Sequence, residues 1–272
     1  MHKKTKQQLD TLWRSTAHAI ILSGPTGIGL SAAVVEYTKT GAATVLWTRP
    51  QKDGEVEYEK GSITVTQIRE LYELLRTKDA HGRIVVIDAA ERMAEPAQNA
   101  FLKLLEEPPE GVRFVLLTHA AQTLLPTIRS RAQRVDMLPI EKKQSDDLLD
   151  DLRVMDPAVR AQLLFIAEGL PAELHRLASN ADAFAQRAGI VRDARTLLSG
   201  SPYERLKITH EYRDTKSSAL LLVDDALKQL RLAAGQSGDA ATLARMDGLV
   251  RAYDSIRQNG NIRLQLAATL ML

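Results

Sequence analysis

The segment Gly24-Pro25-Thr26-Gly27-Ile28-Gly29-Leu30-Ser31 constrains this chain more than any other. It has the spacing of a phosphate-binding loop, G-x-x-x-x-G-K-[ST], at every position except Leu30, where the lysine belongs. An apolar run over 18–23 reads as a strand and 31–38 reads as a helix, so the loop joins a strand to a helix N-terminus. In such a loop the glycines let backbone N–H groups close around phosphates. The helix end adds partial positive charge, and the lysine reaches the β- and γ-phosphates. Leu30 keeps the turn and loses the cation. A charge-assisted hydrogen bond contributes roughly 1.5–3 kcal/mol, so this change weakens triphosphate binding by about 10- to 100-fold. Gly24, Gly27, Gly29 and Ser31 are therefore expected to outline a vestigial nucleotide site, with weak or no binding of ATP and Mg²⁺.

A second apolar run, Arg83-Ile-Val-Val-Ile-Asp88, ends in a carboxylate and is followed by Ala89, Ala90 and Glu91. Continuous apolar runs suit strands buried on both faces of a parallel sheet. An acid at that strand end helps hold Mg²⁺ in P-loop NTPases, and a neighbouring polar group orients the attacking water. Ala89 leaves that second position empty. Glu91 reads as an acid favoured by a helix N-terminus. Two pieces of hydrolysis chemistry are thus expected to be missing from one scaffold.

Strands expected near 19–23, 44–48, 83–88, 113–118 and 134–138 alternate with helices near 4–16, 30–39, 65–77, 95–107 and 122–130, the pattern of an α/β layer. Residues 51–62 are polar and read as a loop. Three short helices follow over 141–152, 157–167 and 171–179. Beyond 180 the periodicity is helical throughout, with Leu220, Val223, Leu227 and Leu230 on one stripe and 219–232 and 263–272 apolar enough to be buried.

Three stretches carry a resemblance: Asn99-Ala-Phe-Leu-Lys-Leu-Leu-Glu-Glu-Pro-Pro109, Phe114-Val-Leu-Leu-Thr118, and Leu125-Pro-Thr-Ile-Arg-Ser130-Arg131-Ala-Gln133. They resemble the clamp-loader branch of the AAA+ proteins, the branch found in bacterial DNA polymerase III. Residues 63–71 and 259–264 are similar to segments of the same family. The resemblance implies an α/β fold. A AAA+ P-loop domain with a parallel sheet is expected over 1–138, a three-helix lid over 139–180 and an all-α collar over 181–272.

It also implies roles for residues. Asp88 and Thr118 would complete the vestigial nucleotide site, Thr118 at the position that senses the γ-phosphate; a strand-end threonine capping a turn is the alternative. Arg131, beside Ser130, stands where the family carries an arginine finger that reaches the γ-phosphate held by a neighbouring subunit. Ala132 follows it in place of the family's usual cysteine. The alternative is that Arg129, Arg131 and Arg134 form a solvated basic edge. Ala172 stands where active family members carry an arginine that touches the nucleotide. Lys103 has two readings, a contact to DNA or a lysine supported by Glu106 and Glu107.

The function implied is that of a clamp-loader subunit that does not hydrolyse ATP and supplies Arg131 in trans. Its expected partners are gamma/tau-type ATPase subunits, a delta subunit, the sliding clamp and primed DNA. An active ATPase subunit and a small P-loop kinase remain the other readings. A net charge of +2, from 36 basic and 34 acidic side chains, lacks the basic excess of a protein that binds DNA alone. No long apolar run suggests a membrane span, and a cytoplasmic location is expected. With no cysteine there is no disulfide and no thiolate zinc site. Many relatives insert a four-cysteine zinc module where residues 38–44 make a short link.

Overall fold

Strands that are apolar on both faces need helices on both sides, and the computed structural model shows how this chain provides them; it describes residues 1–39, 41–234 and 240–269. The chain forms two compact units, Met1–Arg176 and Leu177–Leu272. The first begins with α1 (Lys3–Arg14), β1 (Ala19–Ser23) and α2 (Leu30–Thr38). Next come β2 (Thr44–Thr48), a small antiparallel hairpin of β3 (Gln51–Lys52) and β4 (Glu55–Val56), and α3 (Val65–Leu75). The layer is completed by β5 (Arg83–Ile87), α4 (Glu95–Glu106), β6 (Val112–Thr118), α5 (Pro126–Arg129) and β7 (Gln133–Asp136). Helices α6 (Lys142–Asp151), α7 (Pro157–Ala167) and α8 (Pro171–Ser179) follow, at the expected positions.

Five strands pair in the order β2-β5-β6-β1-β7, every contact parallel. Alternation along each strand sorts the apolar residues into two cores. Ile21, Val85, Ile87, Phe114 and Leu116 pack with α3 and α4, where Phe101 meets Phe114 edge to face at 5.3 Å. Ile20, Leu22, Val86, Val115 and Leu117 pack on the other face with residues of α1 and α2. Each such fully buried side chain contributes about 1.5–3 kcal/mol.

Polar side chains fix the connections. Arg113 of β6 donates to the carbonyls of Trp13, Ser15 and Ala17 at 2.8, 2.7 and 3.1 Å and so closes the C-terminal end of α1. Buried Gln98 of α4 donates to Met93 O at 3.1 Å and accepts from Leu125 N at 2.8 Å, joining the turns after β5 and β6. Two expectations need correction. Residues 51–62 are an ordered hairpin, because Gln51 pairs with Ser62 and the Glu57 carboxylate accepts from the amides of Glu59 and Lys60. The helix expected over 122–130 is instead a 3-10 turn, Ala121–Thr123, and the short α5, because Pro126 sits in the first turn of α5.

The second unit is helical: α9 (Ala181–Ser199), α10 (Pro202–Glu211), α11 (Lys216–Ala234), α12 (Ala240–Arg257) and α13 (Ile262–Ala268). Val223, Leu227 and Leu230 are buried as their spacing requires, and Leu220 packs against the same core. Leu232 and Leu264 are exposed, so α11 and α13 are amphipathic and not buried throughout. Of the apolar stretch expected to end at 272, residues 270–272 lie outside the described residues. Lys216 donates to Arg257 O and Asn259 Oδ1 at 2.8 and 2.7 Å, holding the end of α12. Inside the bundle, Arg187 of α9 and Asp225 of α11 form a two-pronged ion pair, each side chain only 7% exposed.

Removing one partner of a buried pair takes away the other's main counter-charge, at a cost of about 3–5 kcal/mol. Asp225→Ala is expected to lower the unfolding free energy of the full chain by about that amount in urea titration, and Arg187→Met combined with Asp225→Leu to recover most of it.

Candidate functional site

The carboxyl edge of a parallel sheet is where side chains at strand ends converge. Ser23 of β1 pairs with Thr118 of β6, and Ile87 of β5 with Leu116, so the loop after β1, Asp88 and Thr118 emerge together. Gly27 and Gly29 have φ of +86° and +90°, the left-handed region that only glycine enters freely. Gly29 caps α2. A Cβ on Gly27 would stand 2.8 Å from Glu173 Cβ, because the first turn of α8 lies against the loop. The amides of Ala172 and Glu173 both donate to Gly27 O, at 2.9 and 3.0 Å. The Gly24 amide donates to Thr118 O at 3.3 Å, and the His119 ring contacts Gly24 O at 2.7 Å. The loop therefore has the backbone of a phosphate cradle.

Its side chains do not match that backbone. Leu30 is only 5% exposed and belongs to the core beneath the loop, with Val34, Val86 and Leu117. Ser31 Oγ lies 3.5 Å from Asp88 Oδ1. Asp88 Oδ2 accepts from Tyr58 OH at 2.8 Å and faces Arg49 Nε at 3.8 Å. Burial around its hydroxyl, then the hydrogen bond to Asp88 and the charge of that carboxylate, push the Tyr58 phenol up to about 12; the Arg49 guanidinium pulls the other way. Thr118 is fully buried, and its hydroxyl accepts from Ala120 N at 3.1 Å, the arrangement of a turn cap. Glu91 lies in the 3-10 turn after Ala89.

A cavity of about 260 Å³ is bordered by Gly27, Gly29, Ser31, Asp88, His119 and Ala172 among others, with no lysine or arginine in its lining. Ala172 brings no charge, and Arg176 one turn on is taken up by Glu173 through two contacts of 2.8 Å. Beside it is a mainly apolar cavity of about 400 Å³, bordered by Met1, Ile28, Met137, Leu148, Pro171 and His175. A phosphate-binding loop of this spacing implies a nucleotide and Mg²⁺ at such a cleft. The apolar cavity fits a flat base, but the residues at the phosphate end do not fit a metal–triphosphate. The cation position is apolar, and the acid already has its partners within the chain.

Ser130 and Arg131 lie elsewhere. They follow α5 on the connection to β7, both exposed, and neither borders the cavity. Arg131 Nη2 pairs with Glu106 Oε1 at 2.9 Å, and Nη1 donates to Thr127 O at 3.2 Å. Ser130 Oγ donates to Thr127 O at 3.1 Å. Because Glu106 is engaged with Arg131, it does not pair with Lys103, which is exposed. Arg134 belongs to a different group: it donates to Asp136 Oδ1 at 2.9 Å and Ser23 Oγ at 3.2 Å, joining the ends of β1 and β7 below the loop. Arg49 and Tyr58 were invisible to sequence reasoning, since nothing in a polar hairpin indicates that it folds onto Asp88.

A family model described as DNA polymerase III, delta subunit, matches residues 45–141. The delta' subunit of DNA polymerase III from Pseudomonas aeruginosa is 28% identical, over 94% of this chain and 90% of its own length. The tau subunit of DNA polymerase III from Bacillus subtilis is 29% identical over 69% of this chain and 34% of its own, much longer, sequence. Among solved structures, a DNA polymerase III gamma subunit-related protein from Thermotoga maritima superposes with a TM-score of 0.54 at 20% identity, covering 99% of this chain and 98% of that one. The fold is thus shared with that structure: a parallel five-stranded sheet with helices on both faces, followed by further helices. Among the described residues no helix is long and apolar enough to cross a membrane.

Asp136 ties the site to pH. Burial would raise its carboxyl, but hydrogen bonds from Ser23 and Arg134 and the Arg134 charge outweigh this and hold it below the usual carboxylate range. A depressed carboxyl adds stability above its unfolded-state pKa, and that stability is lost as pH falls through the folded value. Asp136→Asn is expected to lower stability at neutral pH, with the difference from wild type vanishing in acid, as read by thermal melts across pH.

Proposed function

We propose that this chain, which resembles the DNA polymerase III delta' subunit over nearly all of its length, is a clamp-loader subunit that does not hydrolyse ATP itself. It acts in DNA replication, in the cytoplasm, beside gamma/tau-type ATPase subunits and a delta subunit, in a complex that loads a sliding clamp on primed DNA. The observation that carries this reading is the contrast between two parts of one unit. The chain's own cradle has Leu30 in its core and an Asp88 already engaged, whereas Arg131 is exposed, away from that cradle.

An exposed guanidinium held by a half-exposed carboxylate and one backbone carbonyl can exchange Glu106 for a phosphate at little cost, because surface ion pairs contribute about 0–1 kcal/mol. A planar fork of N–H donors suits the equatorial oxygens of a transferring phosphoryl group. The chain would then complete a neighbour's active site while its own stays idle. The similarity to a tau subunit keeps the other reading, an ATPase subunit, in view; measurable Mg-ATP binding by the isolated chain would support it.

An arginine finger contributes about 10³–10⁵ to the rate at the site it completes. In a complex assembled from all its subunits, Arg131→Ala is expected to abolish DNA- and clamp-stimulated turnover at the adjoining ATPase site, with assembly intact by gel filtration. Arg131→Lys should fail to restore it. Unchanged turnover in the alanine variant would remove the arginine-finger role.

A further inference from the structure

Asp88 sits at the end of β5 with a side chain 12% exposed, so its charge needs partners. Both partners beyond Ser31 come from the segment after β2. The Asp88 amide donates to Thr48 O at 2.9 Å, which puts Arg49 directly beside the acid. Arg49 is fixed on two further sides: its guanidinium lies 4.8 Å from the centre of the Trp47 ring, and its carbonyl accepts from Gln67 Nε2 at 3.0 Å. Gln67 is in turn held by the Thr64 capping box of α3. Tyr58 arrives from the far arm of the hairpin, whose ends are paired at Gln51 and Ser62. A cation and a hydrogen-bond donor, each positioned by ordered structure, therefore converge on one carboxylate oxygen.

We infer that Arg49 and Tyr58, both on Asp88 Oδ2, take up the carboxylate that a metal would need, so that restoring the lysine at position 30 does not by itself restore nucleotide binding. The reading concerns the pocket that the proposed function leaves idle and deepens it by naming what keeps it idle. A divalent cation on Asp88 Oδ2 would displace Tyr58 from its acceptor and would sit beside the Arg49 guanidinium, where like charges repel. Losing Leu30 from the core removes only one of the two obstacles. The hairpin, in exchange, is anchored to the sheet through Asp88, so that carboxylate works as a structural joint.

The test is calorimetric titration of Mg-ATP into the purified full-length chain. Leu30→Lys alone is expected to bind no better than wild type. Leu30→Lys combined with Arg49→Ala and Tyr58→Phe is expected to gain roughly 10- to 100-fold in Mg²⁺-dependent affinity, the scale of one or two charge-assisted contacts. A Mg²⁺-dependent gain of that size in Leu30→Lys alone would overturn the inference, as would no gain in a triple variant that keeps its circular dichroism. Should the triple variant not fold, amide exchange in the single variant Tyr58→Phe decides. Exchange about tenfold faster over residues 51–62 supports the joint, and unchanged exchange overturns it. Because these measurements use the chain alone, their failure leaves the Arg131 experiment, read at a neighbour's site, unaffected.

Discussion

The parallel pairing of β1 with β6, Ser23 against Thr118, sets the height at which everything else happens. Ladder hydrogen bonds fix it, and so does the alternation that sends Ile20 and Leu22 to one core and Ile21 to the other. A slip of one residue would turn every one of these side chains to the wrong face. With that register fixed, the loop after β1 must turn beside the end of β6. Gly24 then meets Thr118 and His119, and α8 closes on Gly27 from above. The glycines are needed because the backbone takes positive φ in a space that Glu173 already fills.

The single change at Leu30 has consequences at a distance. An apolar side chain at the mouth of a polar cradle gains by turning into the core, and Leu30 does so. Asp88 then has no lysine at position 30 to balance it. The chain supplies a guanidinium from the residue after β2 and a phenol from the hairpin segment. The result balances the charge of Asp88 and leaves the cavity lining without a lysine or arginine, the opposite of what a triphosphate requires.

Arg131 lies under a looser constraint. Glu106 closes α4 just before Pro108 and Pro109, and the short α5 brings Arg131 back to it across the connection between β6 and β7. Two segments on either side of β6 thus meet in one exposed ion pair. Gln98 holds the start of that connection from inside, and Arg131 reaches both Thr127 O and Glu106 from its exposed end.

Much of this was legible in the sequence. The apolar runs ending at Ser23, Asp88 and Thr118 announce strands buried on both faces, and the glycine spacing announces the turn between the first strand and its helix, because both patterns follow from local geometry. The missing lysine was legible for the same reason. The polar segment 51–62 was not, since its order comes from Glu57 capping its own turn and from Tyr58 reaching Asp88, a pairing across 30 residues that leaves no periodic trace. The turn-capping bond of Thr118 and the exchange of Glu106 from Lys103 to Arg131 were likewise decided in three dimensions. The sequence by itself determined which residues must be buried and where the chain must turn, because burial and backbone sterics act over a few residues. Only the tertiary structure decided which charges meet, because an ion pair depends on where two distant segments end.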